Sequence, residues 1–153
     1  MRPGLLLVPF FAPALLAQGI PEGPEPNNTP TTATAIYAGA QAEGNISVGG
    51  DQDWYLFVLP TNSNLMATTG WATGVTVVVD TVLTLFLSDG TTMVGVNDDR
   101  GLDRYSRLEL VNLPANNAQN PFYILEVKHY QVTGTGAYVL DLQAKPPTSV
   151  VAE

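Results

Sequence analysis

Between Thr31 and Gln143 the chain repeats one unit: a short run rich in β-branched, aliphatic and aromatic residues, then a break at Gly, Asn, Asp or Pro. Runs of this kind occupy residues 45–48, 54–59, 65–69, 75–79, 82–87, 92–96, 106–111, 122–129 and 138–142. Each reads as a strand, because branched and aromatic side chains suit a pleated surface and the residues at the breaks suit turns. Within 122–129, Tyr123, Leu125 and Val127 alternate with Glu126 and Lys128, as a strand with two unlike faces requires. No long run downstream of the N-terminus has helical periodicity. Evenly spaced short strands without crossover helices predict an all-β fold, a β-sandwich of jelly-roll or Greek-key type.

The chain has 153 residues, enough for one domain around one core over residues 31–143. Charge then removes whole classes of function. Fourteen acidic residues against six basic give a net charge of -8, which repels phosphate backbones and argues against nucleic-acid binding. Without cysteine there is no disulfide, no thiol nucleophile and no thiolate metal site. His129 is the one histidine, so multi-histidine metal catalysis is excluded within the chain. It reads as a strand end facing solvent. Neither a nucleophile elbow nor a phosphate-binding glycine loop follows any strand. The expectation is a non-catalytic protein.

Residues 1–19 carry an apolar stretch made by Leu5, Leu6, Leu7, Val8, Phe10, Phe11, Leu15 and Leu16. It is too short to span a bilayer, which takes about 20 apolar residues, so no transmembrane segment is expected. Two readings are open. One is a secretory signal peptide, with Ala17-Gln18-Gly19 offering a small-x-small cleavage pattern. The other is a retained, extended assembly strand, since Pro3, Pro9 and Pro13 disfavour a helix. A retained strand could insert into a neighbouring copy, and head-to-tail insertion builds a filament. Residues 20–30 form a proline-rich linker, expected to be extended, to have no strand ladder of its own and to project the segment outward. Residues 144–153 read as a tail.

Two acidic clusters carry the candidate chemistry. Glu25, Asn27 and Asn28 in the linker, with Asp51 and Asp53 at a strand start, offer the mixed carboxylate and amide oxygens that calcium takes. Asn97, Asp99 and Asp103, spaced around Gly101, form a second, weaker calcium candidate. Both also suit plain turn chemistry, in which Asx side chains satisfy backbone N–H groups. Trp71 and Tyr130 are candidate ligand contacts for a polysaccharide or a matrix protein. Asn27-Asn28-Thr29 and Asn45-Ile46-Ser47 match the N-glycosylation pattern, meaningful only in a host with that machinery.

The run Glu25-Pro-Asn-Asn-Thr-Pro, then Gly44-Asn-Ile, then Gly50-Asp-Gln-Asp-Trp-Tyr-Leu-Phe, resembles the bacterial pre-peptidase C-terminal domain family. Asp80-Thr-Val-Leu-Thr-Leu-Phe, Asn97-Asp-Asp and Gly136-Ala-Tyr-Val-Leu continue the same order, so the likeness covers about residues 22 to 143. The resemblance implies a secreted jelly-roll module of the kind appended to exported enzymes, with calcium bound in some members and collagen bound by relatives in clostridial collagenases. In the calcium-binding relatives an acidic residue stands two positions before the one matched by Glu25. Here Gly23 stands there with Glu22 beside it, so the implied ligand set is shifted or incomplete. The chain is expected to act outside the cell, either as a self-assembling homopolymer subunit or as a calcium-dependent binding module.

Overall fold

The structure is a computed structural model that describes residues 19–147; the candidate assembly residues Leu5 to Leu16 lie outside the described residues. Ten strands follow in order: β1 (Ile20–Pro21), β2 (Thr34–Ala35), β3 (Gln41–Ile46), β4 (Gln52–Phe57), β5 (Ser63–Trp71), β6 (Thr81–Leu87), β7 (Met93–Asn97), β8 (Arg107–Leu113), β9 (Tyr123–His129) and β10 (Gly136–Lys145). One sheet has the order β1-β3-β10-β5-β8, the other β2-β4-β9-β6-β7. The orders β3-β10-β5-β8 and β4-β9-β6-β7, with the β6–β7 hairpin kept within the second sheet, reproduce the double Greek key of a jelly roll. No α-helix occurs among the described residues. The all-β sandwich expected from strand spacing is the fold.

The core lies between the sheets. From the first sheet come Ala42, Ile46, Leu65, Ala67, Leu108, Tyr138, Leu140 and Leu142; from the second come Tyr55, Phe57, Leu83, Leu85, Tyr123, Leu125 and Val127. The inward positions alternate along each strand, and β5 reads buried and half-buried by turns through most of its length. Strand β9 departs from the expected two-faced pattern. Ile124 and Glu126, on its outer face, are also buried, and Trp54 on the neighbouring β4 stacks on Phe86 at 5.5 Å.

Two expectations are corrected. Residues 75–79 are not a strand, despite their four valines: Val77 and Val78 are exposed and Val79 is buried. This segment joins β5 to β6, and each of those strands already has a partner on both sides. Neither β5 nor β6 has a free edge for the adjoining valine-rich segment to join, so β propensity has nothing to act on there. The linker, in turn, does have a ladder. Ile20 and Pro21 pair in parallel with Ala42 and Glu43 of β3, so the chain lies along its own sandwich instead of projecting from it. At the other end β10 runs to Lys145, two residues into the expected tail.

Leu125 sits in the middle of the second sheet, opposite Tyr55 on one side and Leu85 on the other, and is fully buried. Leu125→Ala should cost about 2–5 kcal/mol, the range for a buried leucine leaving a cavity. Denaturant titration checks this; a loss under about 1 kcal/mol would contradict the core described here.

Candidate cation site

The site forms where the linker crosses the mouth of the sandwich. After β1, Glu22 N donates to the Glu43 carbonyl at 3.0 Å, and the Glu22 carboxylate accepts from Asn45 N. Gly23 then turns the chain at φ +101°, a conformation that L side chains rarely adopt. Thr34 Oγ1 donates to the Glu22 carbonyl. A Cβ on Gly23 would lie 2.5 Å from that hydroxyl, so glycine is needed here on two counts. Asn27 is wholly buried; its N–H donates to Glu25 Oε2 at 3.1 Å and its Nδ2 to the Glu22 carbonyl at 3.3 Å. From the sandwich side, β4 brings in Asp53, also wholly buried. The outcome is one carboxylate oxygen from each of Glu22, Glu25 and Asp53, all within 4.8 Å of one another.

Three negative groups so close need a counter-charge, and no ion pair among the described residues supplies one. Those pairs are Arg100–Asp103, Arg107–Glu109 and Lys128–Glu126. Oxygen acceptors are also left over: Asn27 Oδ1, Asn28 Oδ1 and Asp53 Oδ1 are inaccessible and have no hydrogen-bond partner. A buried acceptor without a donor costs about 1–3 kcal/mol, and three such acceptors lie in this one region. Burial first, then the Asp53 carboxylate, push Glu22 up to about 8. Burial likewise pushes Asp53 up to about 6, with Asp51 and Glu25 adding to the rise and the Tyr138 hydroxyl opposing it. A set made only of carboxylate and amide oxygens fits a hard cation such as calcium.

Asp53 is held from below by a buried relay. Tyr138 OH donates to Asp53 Oδ2 at 2.6 Å, and the Tyr55 and Tyr138 hydroxyls lie 2.9 Å apart. Gly44 makes the relay possible. A Cβ there would come within 2.2 Å of Tyr138 Cζ, inside the ring's own volume.

The expected calcium ligands are only partly brought together. Glu25, Asn27, Asn28 and Asp53 supply converging or unpartnered oxygens as expected. Asp51 does not: its Oδ2 accepts from Ser47 N at 2.6 Å and Ser47 Oγ at 2.8 Å, and its Oδ1 from Gln52 N, which makes it the clasp of the β3–β4 turn. Glu22 takes the place given to Asp51. In the second cluster, Asn97 Oδ1 accepts from Arg107 N and Asp103 pairs with Arg100. Of the expected set Asp99 does converge there, with Asp80 and Asp98. Asp80 arrives from the end of the β5–β6 connection. Trp71 is half-exposed at the end of β5. Tyr130 is exposed at the β9–β10 turn, in a separate recess with Gln52, Lys128 and His129. His129 is partly buried, and its Nδ1 accepts from Gln131 N.

No protein-family model and no curated protein sequence matches the chain. Solved structures do. The pre-peptidase C-terminal domain of collagenase from Bacillus anthracis superposes with a TM-score of 0.54 at 21% identity, over 72% of this chain and 94% of that one. PliG of Aeromonas hydrophila, a periplasmic inhibitor of g-type lysozyme, superposes with a TM-score of 0.52 at 16% identity, over 74% of this chain and 97% of that one. The chain has the fold of the pre-peptidase C-terminal domain. The likeness stated from its motifs holds at the level of architecture.

Two outcomes follow from this geometry. Gly44→Ala should destabilise the protein by about 1–3 kcal/mol, the usual cost of overpacking, seen as a lower melting temperature. In chelator, stability should fall as pH rises from about 4 to about 8. Glu22 and Asp53 bind protons more tightly folded than unfolded, so folding is least burdened below their unfolded values and loses ground until the folded values are passed. A melting temperature in chelator that rises over this range would contradict the charge crowding.

Proposed function

We propose that this chain is a non-catalytic, calcium-stapled β-sandwich module that works outside the cytoplasm by binding a partner. The observation that carries the cation is the set of unpartnered buried oxygens of Asn27, Asn28 and Asp53 beside the converging carboxylates of Glu22, Glu25 and Asp53. An ion there would tie the linker (Glu22, Glu25, Asn27, Asn28) to the sandwich (Asp53) and so stabilise the native state alone. Several things support a non-catalytic role. The chain has no cysteine and a single histidine, its converging carboxylates crowd into tight clusters, and the fold is shared with a pre-peptidase C-terminal domain and a lysozyme inhibitor. Export agrees with the N-terminal pattern and with the periplasmic location printed for PliG. Among the described residues no helix is long and apolar enough to cross a membrane.

The binding module is preferred to the self-assembling homopolymer because Ile20 and Pro21 are committed to their own β3. The residues next to the apolar segment therefore run along the domain that a donor strand would have to leave. Deleting residues 1–19 and comparing sedimentation with the full chain decides between the two. Equal, monomeric species support the module, whereas polymers lost on deletion would replace it with the fibre subunit.

The cation is tested by melting the protein in calcium and in chelator. At a hundred times the dissociation constant, calcium should add about 2.7 kcal/mol of stability. Glu22→Gln and Asp53→Asn should each abolish the difference, while Asp51→Asn should leave it in place. A melting curve indifferent to both reagents would remove the cation from this reading.

A further inference from the structure

The outer face of the first sheet carries a polar row that is unusual in so acidic a chain. Gln41 on β3 lies opposite Asp141 on β10, Asp141 opposite Thr68 on β5, and Thr68 opposite Arg107 on β8. Side chains in register on neighbouring strands stand about 4.5–5.5 Å apart, so these four form one continuous line across the sheet. Beside the row the surface drops. Gly70 has no side chain, and a Cβ built on it meets nothing within 4 Å. Trp71 follows, half-exposed, with its ring set edge-on to the buried Tyr105 at 6.5 Å. Arg100 closes the end. Together these residues line an open cleft of about 480 Å³.

The chemistry of the cleft is specific. Two of the chain's six basic residues converge on it, against a net charge of -8. Their ion pairs, Arg100 with Asp103 and Arg107 with Glu109, are surface pairs with side chains about 38–56% exposed, the kind that hold little energy and yield to a better anion. Each guanidinium keeps further N–H groups for a carboxylate. Asp141 Oδ1 accepts from Gln143 Nε2, which leaves its Oδ2 as an acceptor for a ligand donor. Thr68 and Gln41 offer both donors and acceptors.

We propose that this cleft binds an acidic polysaccharide through its uronic acid units: carboxylate on Arg100 and Arg107, and hydroxyls on Asp141, Thr68 and Gln41. An anionic group answers the two arginines, and hydroxyl donors answer Asp141, which would repel a ligand that brought only carboxylates. A uronate sugar offers both. An acidic peptide brings the anion without the hydroxyls. The proposal rests on the reading of the chain as a binding module and names its ligand class.

The test is calorimetric titration of the full chain, in calcium, with a β-1,4-linked glucuronate hexasaccharide, with cellohexaose and with hexaglutamate. Cellohexaose differs from the first in lacking the carboxylates, and hexaglutamate carries them on a peptide. The glucuronate oligomer should bind at least tenfold more tightly than either. Arg100→Gln and Arg107→Gln should each weaken it at least tenfold, and Gly70→Leu should block it by filling the cleft without touching a charge. Circular dichroism confirms that each variant is folded. No binding of the glucuronate oligomer, equal binding of cellohexaose or hexaglutamate, or affinity unmoved in the folded variants would overturn the proposal. Melting the same samples in calcium and in chelator reports on the cation site separately, so failure of either reading leaves the other intact.

Discussion

Tyr55 belongs to one sheet and Tyr138 to the other, and their hydroxyls meet in the middle of the sandwich 2.9 Å apart. Both side chains are fully buried, and burial raises both phenols well above the ordinary tyrosine value, so they stay neutral at any physiological pH. Two neutral hydroxyls can satisfy each other only if one donates onward, and Tyr138 donates to Asp53. The order of this chain fixes much else. It sets the spacing of the sheets at one end of the core, it demands glycine at position 44, and it holds one carboxylate at the sandwich mouth with its other oxygen left open.

An acceptor held open in that way is a liability unless something positive meets it. The linker supplies two further carboxylates and two amide oxygens, which deepens the liability instead of relieving it. A protein that only needed the linker fastened could have used a lysine or a hydroxyl. Crowding oxygen on oxygen is understandable when a cation completes the group, because attraction to a divalent ion then exceeds the repulsion among its ligands. The same reasoning separates Asp51 from Asp53. Two residues apart in sequence, one finds its donors in the β3–β4 turn and the other, on β4, finds only tyrosine.

The strands were legible because each is a patch of branched and aromatic residues between turn formers, and that property is local. Where local composition failed, at residues 75–79, the deciding fact was topological: both neighbouring strands were already paired. The cation site was legible to a similar depth. Glu25, Asn27, Asn28 and Asp53 stand out as oxygen-rich runs, yet choosing between Asp51 and Glu22 needed two facts absent from spacing. Ser47 folds back to claim Asp51, and Gly23 turns at positive φ so that Glu22 and Glu25 converge. The polar row across the first sheet was out of reach. Gln41, Thr68, Arg107 and Asp141 are far apart in sequence, and only the register of four strands aligns them.

Both sites hang on the β3–β10 pair. Gln41 and Asp141 face outward into the cleft. From the same two strands Tyr138 points inward to Asp53, and Asn45 N meets the Glu22 carboxylate at the strand edge. A divalent ion at the mouth would also change the charge that an anionic ligand meets, from -8 to -6 by simple addition. Screening confines such an effect to about 8–10 Å at physiological ionic strength, so most of it fades with distance. What is left acts through order: with its edge fastened, β3 holds Gln41 in register with Asp141. Coupling of the first kind disappears in high salt. Coupling through strand order persists there, since it depends on β3 staying paired and not on the field of the ion.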